Sequence, residues 1–300
     1  MRAFITGSRG FVGSWLIPHL RQSGDEVLEA APDLDVTDGP AVHRALRGAE
    51  ADAVYHLAAL SHVGNSWETP EETVRVNALG TLAVLEAAWR CRRPPTVLVV
   101  SSAEVYGRVT PTDLPLTEEA ALAPVTPYAA SKVSAEYLGL QAHLGRGLPV
   151  IRARPFNHVG PGQGPGFVVS AIARRIAEAE RDGGRTIQVG SLSARRDFTD
   201  VRDVVRAYRL LVCAGAPGGV YNVCSGHDVA VDEVARRLLG LAGADLDLVV
   251  DPALVRPADV PVVRGDATRL ARATGWHPEI DLDTTLGEVL ETWRSTLAPD

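Results

Sequence analysis

The sequence predicts an α/β protein built on a doubly wound parallel sheet, with a smaller mixed α/β domain over its crevice. Three observations predict this class: strand-like runs alternate with helical patterns through the first half, a glycine turn follows the first run, and the pattern becomes irregular after residue 155. Strand–helix alternation is typical of parallel sheets that helices cover on both faces. We expect ligands to bind beyond the carboxyl ends of the strands.

The first element is a strand over 2–6 (R-A-F-I-T), followed by a glycine turn and a helix with apolar residues at helical spacing. Gly7, Gly10 and Gly13 give the turn its G-x-x-G-x-x-G spacing. Glycine lets the backbone approach a pyrophosphate, and the free N–H groups of a helix N-terminus attract an anion. A tight corner can use glycine for its own sake. Directly after a first strand, the pattern favours a Rossmann-type dinucleotide site.

The rest of the first half continues the alternation. Strands are expected at 26–30, 53–58, 96–101 and 150–155, with helical stretches near 74–89 and around Tyr128. Gly7, Ala58 and Ser102 each follow or end a predicted strand. Because the carboxyl ends of parallel strands share one edge of the sheet, we expect these three residues to converge on one crevice.

From residue 156 the sequence F-N-H-V-G-P-G-Q-G-P-G-F predicts a loop. Helices are expected at about 167–181, after Asp200, and near 232–241 and 286–297, with strands at 186–189 and 219–223. These elements do not alternate cleanly, which indicates a discontinuous boundary. We expect residues 1–155, rejoined by about 198–223, to form the first domain, and 156–197 with 224–300 to form the second.

The composition excludes several classes of protein. The 300 residues are 46% hydrophobic and carry a net charge of −7, with no basic stripe that would suit nucleic acid. Three cysteines without C-x-x-C spacing argue against a disulfide framework or a metal site. No apolar run reaches the length of a membrane span, and the chain enters a strand without a signal segment. We expect a cytoplasmic protein that does not bind membranes.

Tyr128 and Lys132 are four residues apart in P-Y-A-A-S-K, and Ser102 follows the apolar run T-V-L-V-V-S. On a helix, positions i and i+4 share a face. We therefore expect the Lys132 ammonium to lie near the Tyr128 phenol and to favour its ionised form. A hydroxyl such as Ser102 can hold a carbonyl beside that phenol. The pattern indicates proton transfer during hydride chemistry at an alcohol or sugar carbon, although a half-buried tyrosine beside a solvated lysine would look the same.

Further motifs occur in a recognisable order: T-G-S-R-G-F-V-G, H-L-A-A, V-N-A-L-G-T, V-S-S-A-E-V-Y-G and P-Y-A-A-S-K. Together they resemble the extended short-chain dehydrogenase/reductase family. R-P-F-N-H-V-G-P-G-Q, R-R-D-F-T-D-V-R-D-V and T-G-W-H-P-E-I are similar to the GDP-4-dehydro-6-deoxy-D-mannose reductases within it, which form GDP-D-rhamnose. The resemblance covers nearly the whole chain. It implies that NAD(P)H reduces the C4 ketone of a GDP-4-keto-6-deoxy sugar, and that the second domain binds the nucleotide sugar.

The resemblance also implies roles for single residues. Tyr128 is the proton donor, Lys132 activates it, and Ser102 is the catalytic hydroxyl. The implied cofactor-binding residues, besides Tyr128 and Lys132, are Gly7, Arg9, Gly10, Phe11, Val12, Gly13, Asp35, Val36, Leu57, Ala58, Ala59, Asn77 and Pro155. The implied substrate-binding residues are Ser102, Glu104, Asn157, Val189, Arg196, Arg256 and Asp259. Arginine suits this substrate because its guanidinium binds phosphate oxygens in a fork.

Glu104 leaves a second reaction open. It stands where sugar-nucleotide 4,6-dehydratases have the catalytic base that takes the C5 proton. Those relatives carry Asp or Ser just before it, to help hydroxide leave C6, whereas this chain has Ala103. A methyl group cannot donate a proton, so the sequence favours a reductase over a dehydratase or epimerase. A non-catalytic dinucleotide sensor is less favoured, since Ser102, Tyr128 and Lys132 are all present.

The cofactor preference rests on the end of the second strand. Ala31 and Pro32 stand where NAD-binding relatives have an acid for the ribose. Arg9, inside the glycine turn, can pair with a 2′-phosphate. The sequence therefore favours NADP(H), with NAD(H) as the alternative.

The resemblance implies a homodimer formed through the Tyr128 helix and the helical stretch near 74–89. Val133, Tyr137, Leu140 and Leu144 supply apolar positions at helical spacing. The alternative is that this stripe packs only on its own sheet.

Overall fold

The computed structural model describes residues 1–243, 245–254 and 260–298. Its strands are β1 (Arg2–Thr6), β2 (Glu26–Glu29), β3 (Ala53–His56), β4 (Thr96–Val100), β5 (Val150–Pro155), β6 (Asn157–Val159), β7 (Thr186–Val189), β8 (Arg195–Asp200), β9 (Val220–Val223), β10 (Asp228–Ala230), β11 (Asp247–Val250) and β12 (Val262–Val263). Its helices are α1 (Phe11–Gln22), α2 (Gly39–Ala49), α3 (Pro70–Val74), α4 (Gly80–Trp89), α5 (Pro127–Arg146), α6 (Val168–Asp182), α7 (Val201–Ala214), α8 (Val231–Ala242), α9 (Thr268–Thr274) and α10 (Leu282–Leu297).

Six strands form one sheet in the order β2-β1-β3-β4-β5-β9, and every neighbouring pair is parallel. This confirms the predicted doubly wound parallel sheet. The chain reverses its direction of winding between β1 and β3, whose ends are paired through Thr6 and His56. In such sheets the crevice at the reversal is where ligands bind.

Two apolar layers enclose this sheet. On one face, α1 and α7 pack Leu16, Leu20 and Val204 against the strands. On the other face, α2, α4 and α5 contribute a second cluster that includes Val42 and Val84. Strands such as β4, with the sequence T-V-L-V-V, are buried on both faces, which explains why they read as continuous apolar runs.

The second half adds a smaller assembly of strands and helices. The strands β10, β8 and β12 form a mixed sheet, which β6 extends by pairing with β8, and β11 pairs with β7. A separate apolar core is formed by α6, α8 and α10, with Ile176, Leu238 and Leu290 in its interior. Within the described ranges, no helix is long and apolar enough to cross a membrane.

The structure corrects the secondary structure predicted at several places. The predicted loop from residue 156 contains β6, which pairs with β8 through its backbone and carries no apolar alternation that sequence could reveal. The helical stretch predicted near 74–89 begins at Pro70 and includes a π-helical turn, Arg75–Leu79. The elements α2, α9, β8, β10, β11 and β12 were not predicted.

The three cysteines are unpaired, and Cys224 is buried in an apolar cluster, as its place in V-Y-N-V-C indicates. Burial raises the pKa of the Cys224 thiol well above its usual value, so the thiol stays neutral. In the part of the chain that the structure describes, no group of three or more His, Cys, Asp or Glu side chains is placed to hold a metal ion.

Candidate active site

The glycine turn between β1 and α1 forms a tightly packed corner. Gly7 has a φ of 72°, and a Cβ atom there would lie 2.6 Å from the backbone nitrogen of Ala58. A Cβ atom on Gly13 would lie 2.4 Å from the carbonyl oxygen of Ser8. Glycine is therefore required at both positions. The contact brings the carboxyl ends of β1 and β3 together, so Gly7 and Ala58 meet as expected, and Leu57 and Ala59 flank the contact.

The N-terminus of α1 lies beside this corner, and Gly10 there is exposed. Among the described residues, no side chain caps α1 after Gly10. The first N–H groups of α1, at Phe11 and Val12, therefore have no capping acceptor from a side chain. Arg9 is exposed next to them. Free N–H groups, a helix dipole and a close-packed backbone fit the pyrophosphate of a dinucleotide.

A second group of residues lies between β2 and α4. Val36 is buried, and its Cγ2 lies 2.8 Å from where a Cβ atom on Gly80 would stand. The exposed Asp35 accepts a hydrogen bond from the backbone N–H of Thr37 at 2.8 Å and lies 3.6 Å from Arg75 Nη1. The hydrogen bonds from Thr37, and then Arg75, lower the pKa of Asp35. The Asp35 carboxylate suits the polar edge of a nucleotide base, and the apolar Val36 side chain suits the face of its ring.

The proton-transfer residues meet where β4 ends and α5 begins. Thr126 caps α5 by accepting from the Ala129 N–H at 3.0 Å, which fixes the first turn carrying Tyr128. Lys132 Nζ donates to the Val100 carbonyl oxygen at 2.9 Å and lies 5.9 Å from the centre of the Tyr128 ring. The Ser102 hydroxyl is close enough to the Tyr128 phenol to lower its pKa, against the larger effect of burial. The structure thus places Ser102, Tyr128 and Lys132 together. The two side chains that can ionise, Tyr128 and Lys132, are both buried.

Burial dominates the ionisation of this group. Desolvation raises the pKa of Tyr128 to about 12, and the nearby Glu104 carboxylate acts in the same direction. Desolvation also lowers the pKa of Lys132 to about 8. Desolvation therefore makes the buried phenol harder to ionise than a phenol in water, and the role of Lys132 in favouring its ionised form stays a prediction. At neutral pH the phenol is protonated and can donate a proton.

Asn77 lies in the π-helical turn and is fully engaged by its surroundings. Its Oδ1 accepts from the Leu60 N–H at 2.8 Å, and its Nδ2 donates to the Leu60 carbonyl and to Ser131 Oγ. Because Ser131 neighbours Lys132 on α5, Asn77 ties the loop after β3 to the catalytic helix. Its amide is thus used to satisfy the backbone of Leu60, and a role in cofactor binding stays a prediction.

The other predicted residues occupy several places. Glu104 is half-buried on a short 3-10 turn, Ala103–Tyr106, that follows Ser102. Pro155 is buried at the end of β5, and Asn157 is exposed on β6 just beyond it. Val189 is buried at the end of β7, a strand that pairs with β11 and is not part of the six-stranded sheet. Arg256 and Asp259 lie outside the described residues.

Arg196 lies on β8 and donates from Nη1 to the carbonyl oxygens of Arg195 and Val260, at 2.9 and 2.7 Å. These bonds hold its guanidinium against the backbone that leads to β12. Arg174, by contrast, pairs with Glu178 at 2.7 Å on α6, and its side chain is 43% exposed.

Sequence reasoning missed His158, whose ring stacks on Phe11 with the ring centres 6.1 Å apart. Trp15 supports the same contact by donating from Nε1 to the Pro161 carbonyl at 3.0 Å. The glycine-turn helix therefore packs directly on the N-H-V-G-P segment that carries Asn157. The motif itself contains His158, but only the fold shows that its ring meets the glycine turn.

The parallel sheet, the glycine corner and the Ser102–Tyr128–Lys132 group define an enzyme of the extended short-chain dehydrogenase/reductase class. The chain belongs to the family described as GDP-mannose 4,6 dehydratase, whose model matches residues 30–289.

Individual relatives narrow this assignment. GDP-6-deoxy-D-mannose reductase from Pseudomonas aeruginosa is 39% identical, over 98% of this chain and 97% of that protein. The dTDP-glucose 4,6-dehydratase of Streptomyces antibioticus is 31% identical, over 99% and 94% of the two chains. The solved structure of RMD from Pseudomonas aeruginosa, complexed with NADPH, superposes with a TM-score of 0.90 at 36% identity, covering 98% of this chain and all of that one.

Proposed function

We propose that this protein reduces the C4 ketone of a GDP-4-keto-6-deoxy sugar to the corresponding GDP-6-deoxy sugar, of the GDP-rhamnose type. The full-length similarity to GDP-6-deoxy-D-mannose reductase carries this proposal. The ionisation of the site supports it, since reduction of a ketone requires a proton donor and Tyr128 holds its proton at neutral pH.

In the proposed reaction, the glycine turn and the N-terminus of α1 would hold a reduced dinucleotide, whose nicotinamide would supply the hydride for C4. Ser102 donates a hydrogen bond to the ketone oxygen and holds it next to the Tyr128 phenol. Tyr128 donates its proton to that oxygen as negative charge develops there. The buried Lys132, protonated below a pKa of about 8, stabilises the phenolate that Tyr128 leaves behind.

We propose NADP(H) as the preferred cofactor, with NAD(H) as the alternative. The exposed Arg9 beside the α1 N-terminus supports this choice, because it can meet a 2′-phosphate. At the end of β2, Glu29 is paired with Arg21 at 3.2 Å, and the exposed Ala31 follows it. The structure of RMD, to which this chain is similar, contains NADPH.

A second candidate function is that of a GDP-mannose 4,6-dehydratase. The position of Glu104 next to Ser102 supports it, as does similarity to dehydratases such as that of Streptomyces antibioticus. Ala103 is buried and carries no group that could help hydroxide leave, which favours the reductase.

One experiment separates the two functions. Purified protein is mixed with NADPH and the GDP-4-keto-6-deoxy sugar, and separately with GDP-mannose alone. A reductase consumes one NADPH per ketone, whereas a dehydratase returns its hydride to C6 and consumes none. We expect stoichiometric NADPH oxidation in the first mixture and no 4-keto product in the second. Conversion of GDP-mannose without added reductant would reverse the assignment.

For the substrate, we propose that Asn157 and Arg196 contact the diphosphate end of the nucleotide sugar. Asn157 is exposed just beyond the end of β5, and Arg196 is held on β8, the strand that pairs with β6. Val189 is proposed to line the same site. From their sequence motif, we also propose Arg256 for the nucleotide and Asp259 for a ribose hydroxyl.

We propose that residues 156–197 and 224–300 form the nucleotide-sugar-binding domain, with 198–223 rejoining the cofactor-binding domain. The separate apolar core of α6, α8 and α10 supports this division, as does the pairing of β9 with β5. We further propose a cytoplasmic homodimer with no nucleic-acid or membrane partner. Support for the dimer comes from Tyr137 and Leu144 on α5, which are 55% and 74% exposed.

A further inference from the structure

A buried polar cluster below the active site has no part in the reaction described above. It consists of Ser101, Tyr106, Glu136, Arg154 and Asn222, and we call it the Glu136 cluster. The Glu136 carboxylate is fully buried. Arg154 binds it in a fork, with Nη2 to Oε1 at 2.6 Å and Nε to Oε2 at 3.0 Å. Ser101 Oγ donates a third hydrogen bond to Oε2 at 2.8 Å.

Arg154 also binds two groups outside the Glu136 carboxylate. Its Nη1 donates to the Tyr106 hydroxyl oxygen at 3.0 Å and to the Glu118 carbonyl at 3.1 Å. The Tyr106 hydroxyl in turn donates to Asn222 Oδ1 at 2.6 Å. Burial raises the pKa of Tyr106 to about 12, so this hydroxyl keeps the proton that it donates.

The two anchored residues delimit a segment that matters for catalysis. Ser101 and Tyr106 stand at the ends of residues 101–106, and Ser102 and Glu104 lie between them. Glu136 lies four residues after Lys132 on α5, on the same face of the helix. The Glu136 cluster therefore joins the helix of Tyr128 and Lys132 to the segment of Ser102 and Glu104.

We propose that Glu136 and Arg154 are positioning residues, which fix Ser102 and Glu104 at their places beside Tyr128. Burial of a charged pair is a weak route to stability, since apolar residues of similar volume often stabilise a core as well. The bidentate Arg154–Glu136 pair and its hydrogen bonds to the Ser101 and Tyr106 hydroxyls instead fix the geometry of the groups that they join. This inference deepens the proposed reductase function and rests on it for its kinetic readout.

Ser101→Ala and Tyr106→Phe test the inference, because each removes one hydroxyl at one end of the segment and keeps the buried ion pair. Displacement of a catalytic group by a fraction of an ångström lowers turnover steeply, so we expect each change to lower kcat by about tenfold or more. The KM for NADPH should stay within about twofold of the parent value, because the glycine turn is not touched.

Tyr55→Phe is the matched control. Tyr55 is fully buried on β3, and within the described residues its hydroxyl has no hydrogen-bond partner. This change removes a buried tyrosine hydroxyl of the same kind, away from the segment 101–106. We expect the kcat of this variant to equal that of the parent.

A second readout does not depend on turnover. The chain has six tyrosines, so protein labelled with 3-fluorotyrosine gives a simple fluorine NMR spectrum, and the Tyr128→Phe variant identifies the Tyr128 signal. We expect Ser101→Ala and Tyr106→Phe to shift that signal and Tyr55→Phe to leave it in place. Parent-like kcat in both variants, at a temperature where both are folded, would overturn the inference. If the parent itself does not oxidise NADPH with the 4-keto sugar, the proposed function fails, and an unshifted Tyr128 signal then overturns the inference separately.

Discussion

Tyr128 and Lys132 are buried side by side, and burial moves their pKa values apart. The phenol rises to about 12 and the ammonium falls to about 8. Both changes favour the neutral side chain, because a low-dielectric site disfavours either charge. The phenol therefore enters the reaction protonated, which suits the reduction of a ketone more than the oxidation of an alcohol.

Tyr128→Phe removes the proton donor and keeps the aromatic ring. We expect kcat to fall by roughly 10²–10⁴, the usual scale of general acid catalysis, with little change in the affinity for NADPH. Steady-state kinetics and cofactor titration by fluorescence check the two parts. Near-parent turnover in this variant, with chemistry limiting the rate, would remove Tyr128 from its assigned role.

The pKa of Lys132 predicts a pH dependence. A lysine with its pKa lowered to about 8 loses its charge well below the pH at which an exposed lysine would. Because kcat/KM for the sugar reports ionisations of the enzyme form that binds the sugar, we expect it to be level below this pKa and to fall as pH rises through it. A profile of kcat/KM against pH, measured with the 4-keto sugar at saturating NADPH, tests this. Activity that stays level well above the pKa would contradict it.

The strand, turn and helix at the start of the chain form the most constrained element of the cofactor site. Gly13→Ala would place a methyl group 2.4 Å from the Ser8 carbonyl oxygen. We expect this variant to lose tight NADPH binding, with an increase in Kd of about tenfold or more, or to unfold at a lower temperature than the parent. Calorimetry with NADPH and thermal unfolding measure both effects.

Gly48→Ala is the matched control for that change. Gly48 lies in α2, where a Cβ atom would meet nothing within 4 Å. Because alanine favours helix, we expect unchanged NADPH binding and a gain in stability of about 0.5–1 kcal/mol. Equal effects of the two alanines on NADPH affinity would show that the corner after β1 is not a cofactor site.

The extent to which sequence predicted each element follows from how the element is stabilised. The parallel strands were predictable because a strand buried on both faces has a continuous run of apolar residues, as in β4. Strands such as β6 and β12 form through backbone pairing with β8, which is distant in sequence. Their own residues therefore show no pattern that predicts a strand. The same limit applies to the site: Ser102, Tyr128 and Lys132 sit in recognisable motifs, whereas the stacking of His158 on Phe11 depends on the packing of two distant segments.

At the scale of the whole molecule, α5 presents exposed apolar side chains that a second copy could cover. Tyr137 is 55% and Leu144 74% exposed, so these two do not pack on their own sheet as the alternative required. We expect light scattering at micromolar concentration to give twice the single-chain mass of 31.9 kDa. Leu144→Glu should shift the mass to that of one chain, because a charge would be buried against an apolar partner.

Leu241→Glu serves as the control for this change, since Leu241 is 45% exposed at the other end of the chain, on α8. It should leave the measured mass unchanged. A parent protein with the mass of a single chain would argue against the homodimer.

The order of strands in the main sheet also bears on how the protein is synthesised. The chain leaves the sheet after β5 and returns only with β9, more than sixty residues later, to cover the outer edge of β5. Until Val223 has left the ribosome, β5 is an unprotected edge in a nascent chain, and its unpaired backbone groups can pair with another chain. We expect a fragment that stops at Pro155 to aggregate or to need a chaperone, and extension to residue 223 alone to close this edge.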